Sequence, residues 1–275
     1  MSQRTEDNEI DEIDLREEFS EMYRPYEDEE PLKRRVWSIE EIFSLLGCSL
    51  EEINIVEIGD GSYGYSVVLC TNLDKTIEIL LKKLGYEQQG YEDLWVKEIT
   101  DTTPPVRETR LAGVMKVLIE NLIDELGYKY KRLHQMCLKI QEGLAPDLTS
   151  NVYDLNPSLR RASIEDKKPS EFLSVLYKGF CEPLKGAAIT TEPCNSLMED
   201  LSWFRHHFSG HDLEIPGDPQ KPPHKKIEDV EKRLKKYTEK TSLTQEIDVI
   251  GFKYMLLKSV DACLSDICDK LESSA

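Results

Sequence analysis

Between Leu111 and Leu144 the apolar positions Leu111, Met115, Leu118, Leu122, Leu126, Tyr130, Leu133, Cys137, Ile140 and Leu144 are separated by 4, 3, 4, 4, 4, 3, 4, 3 and 4 residues. That spacing is close to a heptad seam, and it places all ten side chains along one side of an α-helix. Residues 104–145 are therefore predicted as a long helical segment, either one helix or a pair broken near Gly127. The stripe must be covered, by a core within the chain or by a second copy.

Charge divides the rest of the chain. Charged residues make up 32% of it and hydrophobic ones only 39%, which favours smaller folded pieces separated by solvated segments. The formal charge of −18 disfavours general binding to nucleic acid, which needs a net positive surface, and suits a basic partner. Residues 1–30 hold 13 acids against Arg4, Arg16 and Arg24, a net −10. Residues 1–35 therefore read as an acidic disordered arm. Within it Ile10, Ile13, Leu15, Phe19, Met22, Tyr23 and Tyr26 recur at roughly helical intervals, so the arm is either a solvated tail or a segment that folds on a partner.

Past Lys33, Arg34 and Arg35, residues 36–103 read as a small α+β module. Ser38 and Glu41 have capping-box spacing, Trp37 and Ile42 have staple spacing, and a helix is predicted from Ile39 to about Leu46, ended by Gly47. Ser49–Glu52 adds a further turn. "INIVEI" and "YSVVLCT" are two β-type runs, "LDKTIEILLKKLGY" is a helix ending at Gly85, and "DLWVKEI" is a third strand. Residues 146–195 carry five prolines and read as a Pro-rich linker with a short helix. Residues 196–275 form a C-terminal helical domain, with a second capping box at Ser242 and Gln245 and an apolar face running from Leu243 to Leu271. The fold class is α+β, mainly helical.

"EIGDGSYGYSVVL" contains G-x-G-x-x-G at Gly59, Gly61 and Gly64, the spacing with which protein kinases cover nucleotide phosphates. Lys82 and Lys83 follow at 18 and 19 residues from Gly64, but no H-R-D, D-F-G or A-P-E comes later. The glycines read instead as a β-hairpin turn, where they allow positive φ. A degenerate kinase-like nucleotide binder is the weakest of three functional readings, and no cofactor or metal is expected. His206, His207 and His211, with Cys181 and Cys194 upstream, have no compact zinc spacing. The seven cysteines lack a C-x-x-C pair and read as reduced core filler. No apolar h-region opens the chain and no stretch reaches the length of a membrane span, so neither export nor a membrane partner is expected. In "RRASIED", Arg160 and Arg161 precede Ser163 and acids follow it, a kinase-substrate pattern on an apparent linker.

Two stretches resemble the phosphoproteins of rhabdoviruses. "WSIEEIFSLLGCSLEEINIVEIGDGSYGYSVVL" is similar to the helix-then-hairpin start of the vesiculovirus central domain. "KIEDVEKRL" and "SLTQEIDVIGFKYMLLKSV" are similar to that family's last helices, with Gly251, Phe252, Lys253 and Tyr254 matching its glycine, apolar, basic and tyrosine run. The resemblance implies a non-enzymatic polymerase cofactor of host cytoplasm and virion, able to form a homo-oligomer. Its arm, through Ile10, Ile13, Leu15, Phe19 and Tyr23, would hold nucleoprotein free of RNA. Its C-terminal domain, through Lys232, Arg233, Lys235, Lys236, Lys253 and Tyr254, would bind the RNA-loaded nucleoprotein, and a further surface would meet the large polymerase subunit. The alternative is an acidic regulator that sequesters a host signalling or transcription factor.

Overall fold

The structure is a computed structural model that describes residues 36–48, 53–59, 63–70, 75–90, 93–100, 103, 105–140, 152–164, 169–185, 190–209, 223–238 and 240–274. It is mainly helical, with one small antiparallel sheet. The arm residues 1–35, the turn 60–62, the further turn at 49–52 and His211 lie outside the described residues.

Helix α1 (Ile39–Leu45) begins as its local chemistry dictates. The Glu41 amide donates to Ser38 Oγ at 3.2 Å and the Ser38 amide donates to Glu41 Oε2 at 3.0 Å, which satisfies two amides that the first turn leaves without partners. Gly47, at φ +63°, ends it in the left-handed region. Strands β1 (Ile53–Gly59) and β2 (Tyr63–Cys70) pair in register from Ile53 opposite Cys70 to Gly59 opposite Gly64, so the glycine-rich stretch is a hairpin. Helix α2 (Lys75–Leu84) ends at Gly85 (φ +91°). A two-residue strand β3 (Glu87–Gln88), not anticipated from the sequence, and β4 (Leu94–Thr100) complete the sheet in the order β1-β2-β4-β3. Lys82 and Lys83 therefore sit on a helix, not on a third strand beside the glycine hairpin as the kinase reading requires.

Helix α3 (Glu108–Ile140) is continuous through Gly127. All seven stripe positions from Leu111 to Leu133 are buried, as are Val114, Ile119 and Ile123, so the apolar face is wider than a coiled-coil seam. The last helix (Glu246–Ser274) packs against it, and the charged pairs Lys116–Glu246 (3.6 Å), Lys129–Asp261 (2.6 Å) and Arg132–Glu272 follow the same order along both. From Leu111 to Leu133 the stripe is thus covered within the chain.

The expected linker is mostly helix. Helices α4 (Val152–Ile164), α5 (Pro169–Leu176) and α6 (Glu182–Leu184), with a π-helical turn at Tyr177–Cys181 joining the last two, bury Leu159, Phe172, Leu173, Leu176, Phe180 and Leu184. Three of the prolines taken as breakers instead open helices: Pro169 is the first residue of α5, while Pro183 and Pro193 lie in the first turns of α6 and α7 (Glu192–Phe208). In a first turn a proline forfeits no hydrogen bond. The π turn has a partner too: the buried Tyr130 hydroxyl donates to the Gly179 carbonyl at 3.1 Å.

Helix α8 (Pro223–Thr238) precedes α9 (Glu246–Ser274). The second capping box does not form, because α9 starts four residues after Ser242 and the Gln245 carbonyl receives the Asp248 and Val249 amides. The buried apolar residues make one cluster from Trp37 to Leu271, so packing crosses the boundaries expected at 103 and 195.

Candidate interaction surfaces

Strand alternation gives the sheet two faces. On the inner one, Ser66, Val68, Cys70 and Trp95 are buried in the same core as Ile77, Leu80, Leu81 and Leu84 of α2, with Lys82 Nζ 6.0 Å from the Trp95 ring. On the outer face the register places Val56 opposite Val67, Val67 opposite Val96, and Leu69 opposite Leu94. That face is apolar at its centre and carries Asn54, Glu98 and Glu87 around it, and Val56, Tyr65 and Leu69 are 43%, 39% and 36% exposed. Strand β1 is an open edge beside it. An apolar sheet face left to solvent is the ordinary mark of a docking surface. The sequence signal for it was present in "VVLC", residues 67–70, a continuous apolar run where a half-buried strand would alternate.

The family-like run Gly251–Tyr254 is placed differently from its expected role. All four residues are buried, Lys253 at 0% and Tyr254 at 2% exposure. A Cβ on Gly251 would come within 2.8 Å of Leu45 Cδ1, so the glycine lets α1 approach α9. Phe252 packs edge-on to Phe204 (5.1 Å between centroids) and Tyr237 (6.4 Å). Lys253 Nζ donates to the Ala162 and Ser163 carbonyls, at 2.9 and 3.3 Å, and lies 5.7 Å from the Phe172 ring. These carbonyls are among the last of α4, where the helix dipole favours a cation. Lys253 is thus the internal cap of α4, and neither it nor Tyr254 can be a surface contact.

Ser163 shares that interior. It is 1% exposed, with an Oγ that has no hydrogen-bond partner among the described residues, while Arg160 pairs with Asp124 at 2.6 Å and Arg161 with Glu171 at 3.5 Å. The expected exposed phosphosite is therefore a core position whose preceding arginines are engaged in the fold.

Of the basic residues on α8, Arg233 is also structural. It pairs with Asp200 and, at 2.6 Å, with Glu199, and lies 5.1 Å from the Trp203 ring. Asp200, 1% exposed, additionally accepts from Lys236 Nζ at 3.1 Å and from the Tyr237 hydroxyl at 2.9 Å. That buried carboxylate holds α7 to α8. Lys232 and Lys235 remain exposed.

His206 and His207 lie at the end of α7, the latter with a pKa lowered by burial, and among the described residues no group of three or more His, Cys, Asp or Glu converges as a metal site would require. Cys70, Cys181, Cys194, Cys263 and Cys268 are buried free thiols, as core filler should be, and burial pushes the Cys181 thiol up to about 12. Among the described residues no helix is long and apolar enough to cross a membrane. No family model, no characterised protein and no solved structure matches the chain.

Proposed function

We propose that the protein is a non-enzymatic adaptor of the rhabdovirus phosphoprotein type, linking a viral polymerase to its RNA–nucleoprotein template and keeping new nucleoprotein free of RNA. The observation that carries the reading is the apolar outer face of the sheet, an association surface on a rigid scaffold. It is supported by the net −10 of residues 1–30, which complements a basic RNA groove, with Ile10, Ile13, Leu15, Phe19 and Tyr23 supplying apolar contacts. Lys232 and Lys235 remain the contacts for assembled nucleoprotein, working in the host cytoplasm and virion. The large polymerase subunit docks elsewhere.

With the α3 stripe from Leu111 to Leu133 consumed inside the chain, self-association is assigned to the outer sheet face, which in a two-fold dimer meets its own copy. Light scattering gives twice the chain mass for the native protein and a single chain mass for Val56→Glu with Leu69→Glu. An unchanged mass in the variant refutes this assignment. The functional reading is tested by co-expression with the nucleoprotein of the same genome. Capture of nucleoprotein, lost when the acids between Glu6 and Glu30 are replaced by amides, supports it; capture that survives the replacement refutes the chaperone role.

A further inference from the structure

A cavity of about 690 Å³ lies between α1, the inner face of the sheet and the approach to α3. Its walls are largely apolar, with Ile42, Leu84, Ile99 and Val106, and its cation is Lys97, directly across the ladder from Ser66. Lys97 Nζ stands 5.6 Å from the centre of the Tyr86 ring, whose hydroxyl is 2.8 Å from Ser66 Oγ. Among the described residues neither Lys97 nor the neighbouring Arg110 has a carboxylate at ion-pair distance. The Arg110 guanidinium instead reaches the Lys83 carbonyl at 3.4 Å, and the Glu41 carboxylate on the cavity wall accepts from the Ser38 amide. Burial, and after it the Arg110 charge, hold the Lys97 amine below the ordinary lysine range. In a chain of net charge −18, a half-buried pair of cations with no acid at ion-pair distance among the described residues is a place prepared for an anion.

The connectivity indicates which anion. Val36 and Trp37 form part of the cavity wall, fixed by the bridge between Val36 and Arg107 and by the Trp37 amide on the Val106 carbonyl at 2.9 Å. Lys33, Arg34 and Arg35 lead directly into that wall, and before them comes the acidic stretch in which "EIDEIDLREEF", Glu9–Phe19, interleaves carboxylates with isoleucine, leucine and phenylalanine. The 17 residues from Phe19 to Val36 reach roughly 55 Å when extended, ample for a return over the cavity. We propose that the Glu9–Phe19 segment of the same chain docks in this cavity, with a carboxylate on Lys97 and its apolar side chains against the walls. The contact is a self-inhibiting one. A basic partner must displace Lys97 to engage the arm, and this holds whether or not that partner is a nucleoprotein.

Carbodiimide coupling of the full-length chain, which joins carboxylates to amines already in contact, tests the idea in a mixture of light and isotopically heavy protein. The expected product joins Lys97 to an acid between Glu9 and Glu18 within one isotopic chain. No such link, or links only between light and heavy chains, overturns the proposal. A second reading keeps the full chain and replaces Glu9→Gln, Asp11→Asn, Glu12→Gln and Asp14→Asn. Acylation of Lys97 then quickens by about tenfold, the factor of one charge-assisted contact, while that of exposed Lys235 stays constant. An unchanged Lys97 rate refutes docking.

Discussion

Replacing Lys253 by methionine separates two roles for the same residue. As the buried cap of α4 it satisfies two carbonyls, and methionine fills its volume without donating to either. A buried acceptor left unsatisfied costs about 1–3 kcal/mol, and the cation–π contact with Phe172 is lost as well. Relief from burying the ammonium offsets part of this, which leaves a net loss of about 3 kcal/mol. With a urea dependence of about 2–3 kcal/mol per molar for a chain of this size, the unfolding midpoint falls by roughly 1 M. Lys232→Met on the exposed face of α8 shifts stability by no more than about 0.5 kcal/mol. Equilibrium urea unfolding followed by far-UV circular dichroism measures both. A Lys253→Met midpoint equal to the native one, with nucleoprotein capture lost, would refute the internal cap and return the residue to the surface.

Other expectations follow from the same packing. Gly47→Ala costs about 1–2 kcal/mol in a thermal melt, because alanine is strained at φ +63° and its Cβ would lie 2.6 Å from Met255 Cε. Under native conditions Cys48, half-buried, reacts with a thiol reagent before Cys70, Cys181, Cys194, Cys263 and Cys268, which await unfolding; labelling of the five at the Cys48 rate would contradict the core. Tyr130 and Tyr237 have pKa values raised by burial, for Tyr237 with the Asp200 charge adding to it. Their folded forms keep a proton that the unfolded chain releases near pH 10, so their stabilisation is complete below about pH 10 and is lost as pH rises beyond it. Tyrosinate absorbance then shows two side chains ionising only with unfolding.

The parts legible from sequence are those decided locally. Ser38 with Glu41 fixes the start of α1 through bonds three residues apart, and the β-branched runs and Gly85 mark the hairpin and the end of α2. The stripe on α3 identified a long helix, but its partner α9 lies more than 100 residues away, so periodicity alone left a second copy as the lesser alternative to a local core. The 146–195 segment misled because proline has two meanings, breaker inside a helix and starter in its first turn, and only the packed neighbours decide between them. Lys253 was misplaced for a related reason. A lysine is ordinarily exposed, and nothing near it in sequence announces two helix-end carbonyls from about 90 residues away waiting to receive it. Lys97 escaped notice because a single lysine in a strand carries no motif; its meaning comes from the cavity it lines and from having no carboxylate at ion-pair distance among the described residues.

The most direct measurement is the RNA content and mass of the complex formed when the full-length chain and its genome's nucleoprotein are co-expressed. The account predicts a complex whose 260/280 nm absorbance ratio is that of protein alone, and nucleoprotein that returns to RNA when the acids between Glu6 and Glu30 are neutralised. Nucleoprotein that stays loaded with RNA in the presence of the intact chain, or that is not captured at all, would contradict it.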